Sequence, residues 1–153
     1  MAGITRGPTC GNDRGCDVEI SISVDVGGAL RHLTDVQNRI PRALEQGLKD
    51  SAALLRREMA IYPPRRAGST YKRQNILKRS WFIGQTQRFP GGVSVRVYSS
   101  GDSAPYNVFV QKASMQATIH RGLWGAHTEV AVATRLQPHF VRMIENRVSA
   151  VMR

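Results

Sequence analysis

Between Val18 and Val26 apolar and polar side chains alternate without a break: Val18, Ile20, Ile22, Val24 and Val26 fall on one parity, Glu19, Ser21, Ser23 and Asp25 on the other. A period of two is that of a β-strand with one face buried and one face wet. Such a strand leaves an apolar face that a second layer must cover, so the rest of the chain has to supply one. Gly27 and Gly28 then end the pattern.

The cover is legible downstream. Leu30, Leu33, Ile40, Leu44, Leu48, Leu54, Leu55 and Met59 recur at three- and four-residue steps, the spacing of a helix with one apolar stripe. Pro41 lacks an amide donor and should kink that helix or begin a new one. The spacing therefore predicts a short helix to about Arg39 and a longer one from Pro41 to Ala60, stopped by Tyr62, Pro63 and Pro64. A second helical stripe, Leu136, Phe140, Met143, Ile144 and Val148, closes the chain, with Pro138 expected to start that helix or bend it. Val93, Val95 and Val97 alternate with Ser94 and Arg96 in another strand, preceded by a turn at Pro90, Gly91 and Gly92. Ile76 to Ile83 is expected to enter the sheet, and Tyr106 to Val110 reads as a strand end or the first turn of a short helix.

Two stretches lack periodicity, Pro63 to Asn75 and Lys112 to Gly125, and are expected as extended loops, the second with its own packing around Ile119, His120, Leu123 and Trp124. The fold class is α+β: a small antiparallel sheet packed against a long helix and a C-terminal helix, with two extended loops. The 153 residues suit one core of this kind. Residues 1–16, rich in Gly and poor in apolar side chains, are expected as a flexible N-terminal arm, and 17–153 as a single domain. Trp81, Phe82 and Trp124 are expected in the core.

Charge separates this chain from an ordinary globular one. Lys and Arg number 22 against 11 Asp and Glu, for a net +11, so copies repel one another and acidic proteins, nucleic acids or anionic surfaces attract. No apolar run is long enough to span a membrane, and Met1 to Asn12 lacks the apolar stretch of a secretion signal, so a soluble protein made in a cytoplasm is expected. Cys10 and Cys16 have no partner pair or adjacent His to complete a zinc site and read as free thiols.

Catalytic patterns are lacking. There is no G-x-S-x-G frame, His32, His120, His127 and His139 are scattered, and His120 with His127 and Glu129 makes too sparse a ligand set to define a metal site. Gly27-Gly28 lacks the phosphate-cradling frame, and carboxylates are too few to pair obviously for hydrolysis. No catalytic residue, metal ligand or cofactor is assigned. The strongest functional signal is the basic series Arg65, Arg66, Lys72, Arg73, Lys78 and Arg79, which could neutralise phosphates but is unaccompanied by a helix-turn-helix, a zinc finger or paired stacking aromatics. Contact with an acidic protein neighbour suits it better, because a loop with two prolines has less freedom to lose on docking.

The order Tyr62-Pro63-Pro64-Arg65-Arg66, Tyr71-Lys72-Arg73 and Ile76-Leu77-Lys78-Arg79-Ser80-Trp81 resembles the tail-component family of long-tailed bacteriophages and prophages, head-tail joining or tail-completion proteins of the neck and tail. Members pair an amphipathic helix ending in proline with a loop, a G-x-L-x-x-S-W-like strand, a valine strand and a Y-x-x-[FY]-V element. Here these correspond to Asn75 to Trp81, Val93 to Val97 and Tyr106 to Val110, and the resemblance runs from about Leu30 to the C-terminus. Where many relatives carry Thr-Gly before the leucine, this chain has Gln74-Asn75; asparagine tolerates the left-handed backbone that glycine would supply.

The resemblance implies a structural virion protein without enzymatic activity: a head-tail joining, tail-completion or tail-terminator subunit that assembles as a ring, most often a hexamer, between the neck connector and the tail tube. Its implied partners are sibling subunits, neighbouring neck, connector and tail-tube proteins, and channel DNA through non-specific contact, with no membrane. Candidate subunit or partner contacts are Arg65, Arg66, Tyr71, Lys72, Arg73, Trp81, Tyr106, His120 and Trp124, with residues 1–16 as an arm that could reach a neighbour. The competing expectation is a small basic nucleic-acid-binding module.

Overall fold

The computed structural model describes residues 2–6, 18–25, 39–64, 67–68, 75–112, 114 and 123–152. The alternating segment forms strand β2 (Val18–Asp25), which pairs antiparallel along its whole length with β5 (Gly92–Ser99), Val18 opposite Ser99 and Asp25 opposite Gly92. On its other side β2 pairs with β1 (Ala2–Arg6), and β5 is flanked by two short strands, β3 (Trp81–Ile83) and β4 (Gln87–Phe89). Both short strands lie on the same side of β5. Ile83 faces Val97 and Gln87 faces Ser94, so three residues separate β3 from β4 where the opposing strand has two, the extra residue of a β-bulge. Gly84 still donates its amide to the Arg96 carbonyl (2.8 Å). Pro90 and Gly91 join β4 to β5, with Gly91 at φ 90°, the Pro-then-Gly order of a type II turn.

One sheet face is covered. Ile20, Ile22, Val93, Val95, Val97 and Trp81 point to it and meet helix α1 (Arg39–Met59), whose Leu44, Leu48, Ala52, Leu55 and Met59 are buried at helical spacing. Helix α4 (Glu129–Met152) runs antiparallel along α1 and adds Val132, Leu136, Phe140 and Ile144 to the same core. The α1–α4 crossing is close because Gly47 has no side chain: a Cβ there would lie 3.0 Å from the Ile144 Cα. Surface ion pairs fix the register of the two helices, Arg147 to Asp50 (2.8 Å) and Arg135 to Glu58 (3.0 Å). The opposite sheet face carries Ser21, Ser23, Ser94, Arg96 and Tyr98, half-buried or exposed.

The α+β architecture, with its antiparallel sheet and two packing helices, is the one expected. Several local expectations are corrected. Ala2–Arg6, within the segment expected as a flexible arm, forms an edge strand, held by backbone pairing that composition does not reveal. Ile76 to Arg79 does not enter the sheet; it forms a single helical turn, α2 (Ile76–Arg79), and the strand starts only at Trp81. The chain is turned there by Asn75, whose φ of 57° is the left-handed conformation anticipated for it. Pro138 does not start the last helix, which begins nine residues earlier at Glu129 and carries Pro138 on its exposed side. Pro41 sits in the first turn of α1, where a missing amide leaves no hydrogen bond unmade. Phe82, expected in the core, is 41% exposed and lies against Tyr98 on the open face, ring centroids 5.9 Å apart. Of the two readings of Tyr106 to Val110, the short helix is the one formed, α3 (Asn107–Gln111). The expected helix before Arg39, and Cys10 and Cys16, lie outside the described residues.

Candidate functional site

Beyond the main core a second, smaller cluster forms at one corner: Leu77, Ala104 and Trp124 are buried, with Tyr62, Val110 and Leu123 packed on them. Leu77 comes from the single turn α2 and Val110 from the short α3, and the other four from segments between elements. Tyr62 follows α1 and meets Trp124 edge-on, ring centroids 5.6 Å apart at 65°. The Leu77 amide, at the start of α2, donates to the Tyr106 hydroxyl (3.1 Å). Ser99 of β5 donates through its hydroxyl to Ser80 Oγ (2.8 Å), and Ser80 in turn donates to the Leu77 carbonyl (2.9 Å), a buried chain tying the sheet to α2. The Arg56 guanidinium donates through Nε to the Trp81 carbonyl (2.9 Å) and fastens the end of α1 to β3.

The same corner positions α4. A 3-10 turn (Gly125–His127) follows Trp124, and Thr128 then caps the helix, its hydroxyl oxygen accepting from the Ala131 amide (3.4 Å). The Glu129 amide, another donor of that first turn, is taken by Gln111 Oε1 (2.7 Å), and Gln111 is held by Asn107 within α3.

The contact candidates divide. Trp81 (0% exposed) and Trp124 (7%) are buried within the chain, so their reading as partner contacts is corrected to a packing role. Tyr106 keeps 39% of its surface exposed while its hydroxyl serves the Leu77 amide, so its ring edge remains on the surface. Arg65, Arg66, Tyr71, Lys72, Arg73 and His120 lie outside the described residues. The two ends of the first basic segment are placed: Pro63 is buried below α1, and Asn75 opens α2, so residues 65–74 leave from and return to the corner.

Between those two ends lies a concavity of about 420 Å³, lined by Arg57, Ala60, Ile61, Tyr62, Asn75 and Lys78. Lys78 belongs to the basic series read from the sequence, whereas Arg57 and Ile61 were not singled out; a signal for this region exists nonetheless, since from Met59 to Gly101 there is no Asp or Glu, while Lys and Arg occur eight times from Arg65 to Arg96. The carboxylates of α1 are already engaged. Glu45 accepts from Arg88 (2.7 Å) and Lys49 (2.8 Å), and these two cations hold its carboxyl down from the ordinary 4.5 to about 2. Asp50 and Glu58 face α4 arginines. Among the described residues no ion pair takes up Lys78 or Arg79. Lys78 and Arg79 therefore leave positive charge at the corner without a partner among the described residues.

Among the described residues no three His, Cys, Asp or Glu side chains are grouped to hold a metal ion, and no helix is long and apolar enough to cross a membrane. Compared with protein-family models, with curated proteins and with solved structures, the chain matches none.

Proposed function

We propose that the chain is a structural subunit of a bacteriophage neck or tail, a head-tail joining, tail-completion or tail-terminator protein that assembles as a ring between connector and tail tube. One observation carries the reading. Four of the residues by which the chain resembles the tail-component family, Tyr62, Leu77, Ser80 and Tyr106, come from separate parts of the sequence and meet at the corner between the end of α1 and α2. Residues with that role hold the end of α1 against α2, which suits a subunit that works by contact. A heterologous ring interface needs different patches of one subunit to meet, and the mixed surface of basic corner and open sheet face offers two.

The test is the oligomeric state. Purified protein imaged in negative stain should show rings, with DNA binding that is weak and lost as salt rises. A monomer that binds duplex DNA tightly at physiological salt would replace this reading with the second one, a small basic nucleic-acid-binding module, which the carboxylate-free stretch from Met59 to Gly101 favours.

A further inference from the structure

We infer that the concavity between the C-terminal end of α1 and α2 docks an acidic segment of a different protein, one that carries an apolar side chain among its carboxylates. The inference deepens the virion-subunit reading by giving its partner face a place and a chemistry, and it rests on that reading for the existence of such a partner.

The lining has two characters. Ala60, Ile61 and Tyr62 give an apolar floor, on which Ile61 keeps 45% of its surface exposed. Arg57 and Lys78 stand on the rim, both exposed, with the Asn75 side chain between the two elements. Arg57 is 3.7 Å from Glu58 Oε1, but its side chain is 73% exposed and the other Glu58 oxygen is held by Arg135, so the rim keeps its positive character. The carbonyls of Arg56, Arg57 and Glu58 in the last turn of α1 accept from the Ala60 and Ile61 amides, so the helix end contributes few unpaired acceptors that would repel a carboxylate.

Charge and apolar surface together select the occupant. A second copy of this chain brings 11 carboxylates against 22 cations, and those of α1 are already engaged by arginines and Lys49, so a sibling in a ring would meet the surface around the concavity without filling it. A phosphate backbone satisfies Arg57 and Lys78 but has nothing to place on Ile61, whereas an acidic peptide with a leucine or phenylalanine fills the floor while its carboxylates reach the rim.

Fluorescence anisotropy at physiological ionic strength decides the matter with three labelled probes: a short peptide alternating glutamate with leucine and phenylalanine, a control with the same glutamates and serine in place of the apolar residues, and a short DNA duplex. The amphipathic peptide should bind about tenfold tighter than the serine control, and the double variant Arg57→Glu, Lys78→Glu should weaken it by about tenfold. Ile61→Ser should narrow the gap between the two peptides. All three positions are on the surface, and circular dichroism checks that each variant is folded. Equal binding of the two peptides, or indifference to the rim variants, overturns the inference. Tighter binding of the duplex with the same dependence on Arg57 and Lys78 also overturns it and gives the face to a phosphate backbone. Negative-stain images of the same preparations report ring formation separately, so loss of peptide binding with rings intact refutes this face alone, and absence of rings refutes the subunit reading.

Discussion

The molecule holds two apolar clusters built on different principles. In the larger one, β2, β5, α1 and α4 contribute residues at the periods of their own elements, two for the strands and three to four for the helices. In the smaller one, Leu77, Ala104 and Trp124 come from a helical turn and two irregular stretches, and hydrogen bonds from Leu77, Ser80 and Ser99 do much of the positioning. The larger cluster is fixed by repetition along each of its elements. The smaller depends on a few individual contacts, and it is the one that carries the basic segment and the concavity.

The sharpest way to break this contrast is to remove one tryptophan from each cluster. Trp81→Ala, at a position with no exposed surface, should cost about 3–5 kcal/mol and lower the urea midpoint of the whole domain. Trp124→Ala should cost about 2–3 kcal/mol. Its signature should differ: amide exchange should accelerate at Tyr62, Leu77 and the first turn of α4 while the β2–β5 amides keep their protection. If both variants opened the sheet equally, the two clusters would be one cooperative unit.

Smaller changes sharpen the picture of the main core. Gly47→Ala gains about 1 kcal/mol of helix propensity but forces a methyl to within 3.0 Å of the Ile144 backbone, so the net effect should be a loss of about 1–2 kcal/mol, measured by thermal melting. The smallest expected effect belongs to Glu45, which links α1 to β4 through Arg88. Its folded carboxyl stays ionised down to about 2, while in the unfolded chain it takes up a proton near 4.5. The unfolded state therefore binds more protons across that window, and stability contributed by the pair is complete above 4.5 and lost as pH falls towards 2. Arg88 and Lys49 are half exposed or more, so screening limits the contribution to less than about 1 kcal/mol. In urea titrations at a series of pH values, Glu45→Gln should match the wild type at the acid end and fall below it at neutral pH.

Periodic elements were the ones legible in the sequence. The Val18 to Val26 alternation, the Val93 to Val97 strand and the stripes of α1 and α4 announce their burial because one face repeats. Asn75 was readable for a different reason, since few side chains other than asparagine accept a left-handed backbone. What escaped had no period. Ile76 to Arg79 shares its apolar character with Trp81, and only the hydrogen bonds of Ser80 and Tyr106 bend it out of the sheet. Phe82 looks like core material, yet strand parity sets it opposite Trp81, on the open face. Of the candidate site, charge clustering brought the basic residues, Lys78 among them, to notice and the resemblance brought Tyr106, but the juxtaposition of Lys78 with Arg57 and Ile61 from a separate element is encoded by no local spacing.

The extra residue between Ile83 and Gln87 has a consequence for crowding. An outer rim of a sheet offers unpaired amides and carbonyls to any incoming chain, and here that rim bears Phe82, Ile83 and Phe89, all exposed. Because the register slips by one between Ile83 and Gln87, a visiting strand that zips onto Trp81–Ile83 falls out of step at Gln87–Phe89 and gains no more than a three-residue grip at a time. On this rim the slip therefore limits the length of any added strand, whereas the opposite edge, β1, has no such interruption.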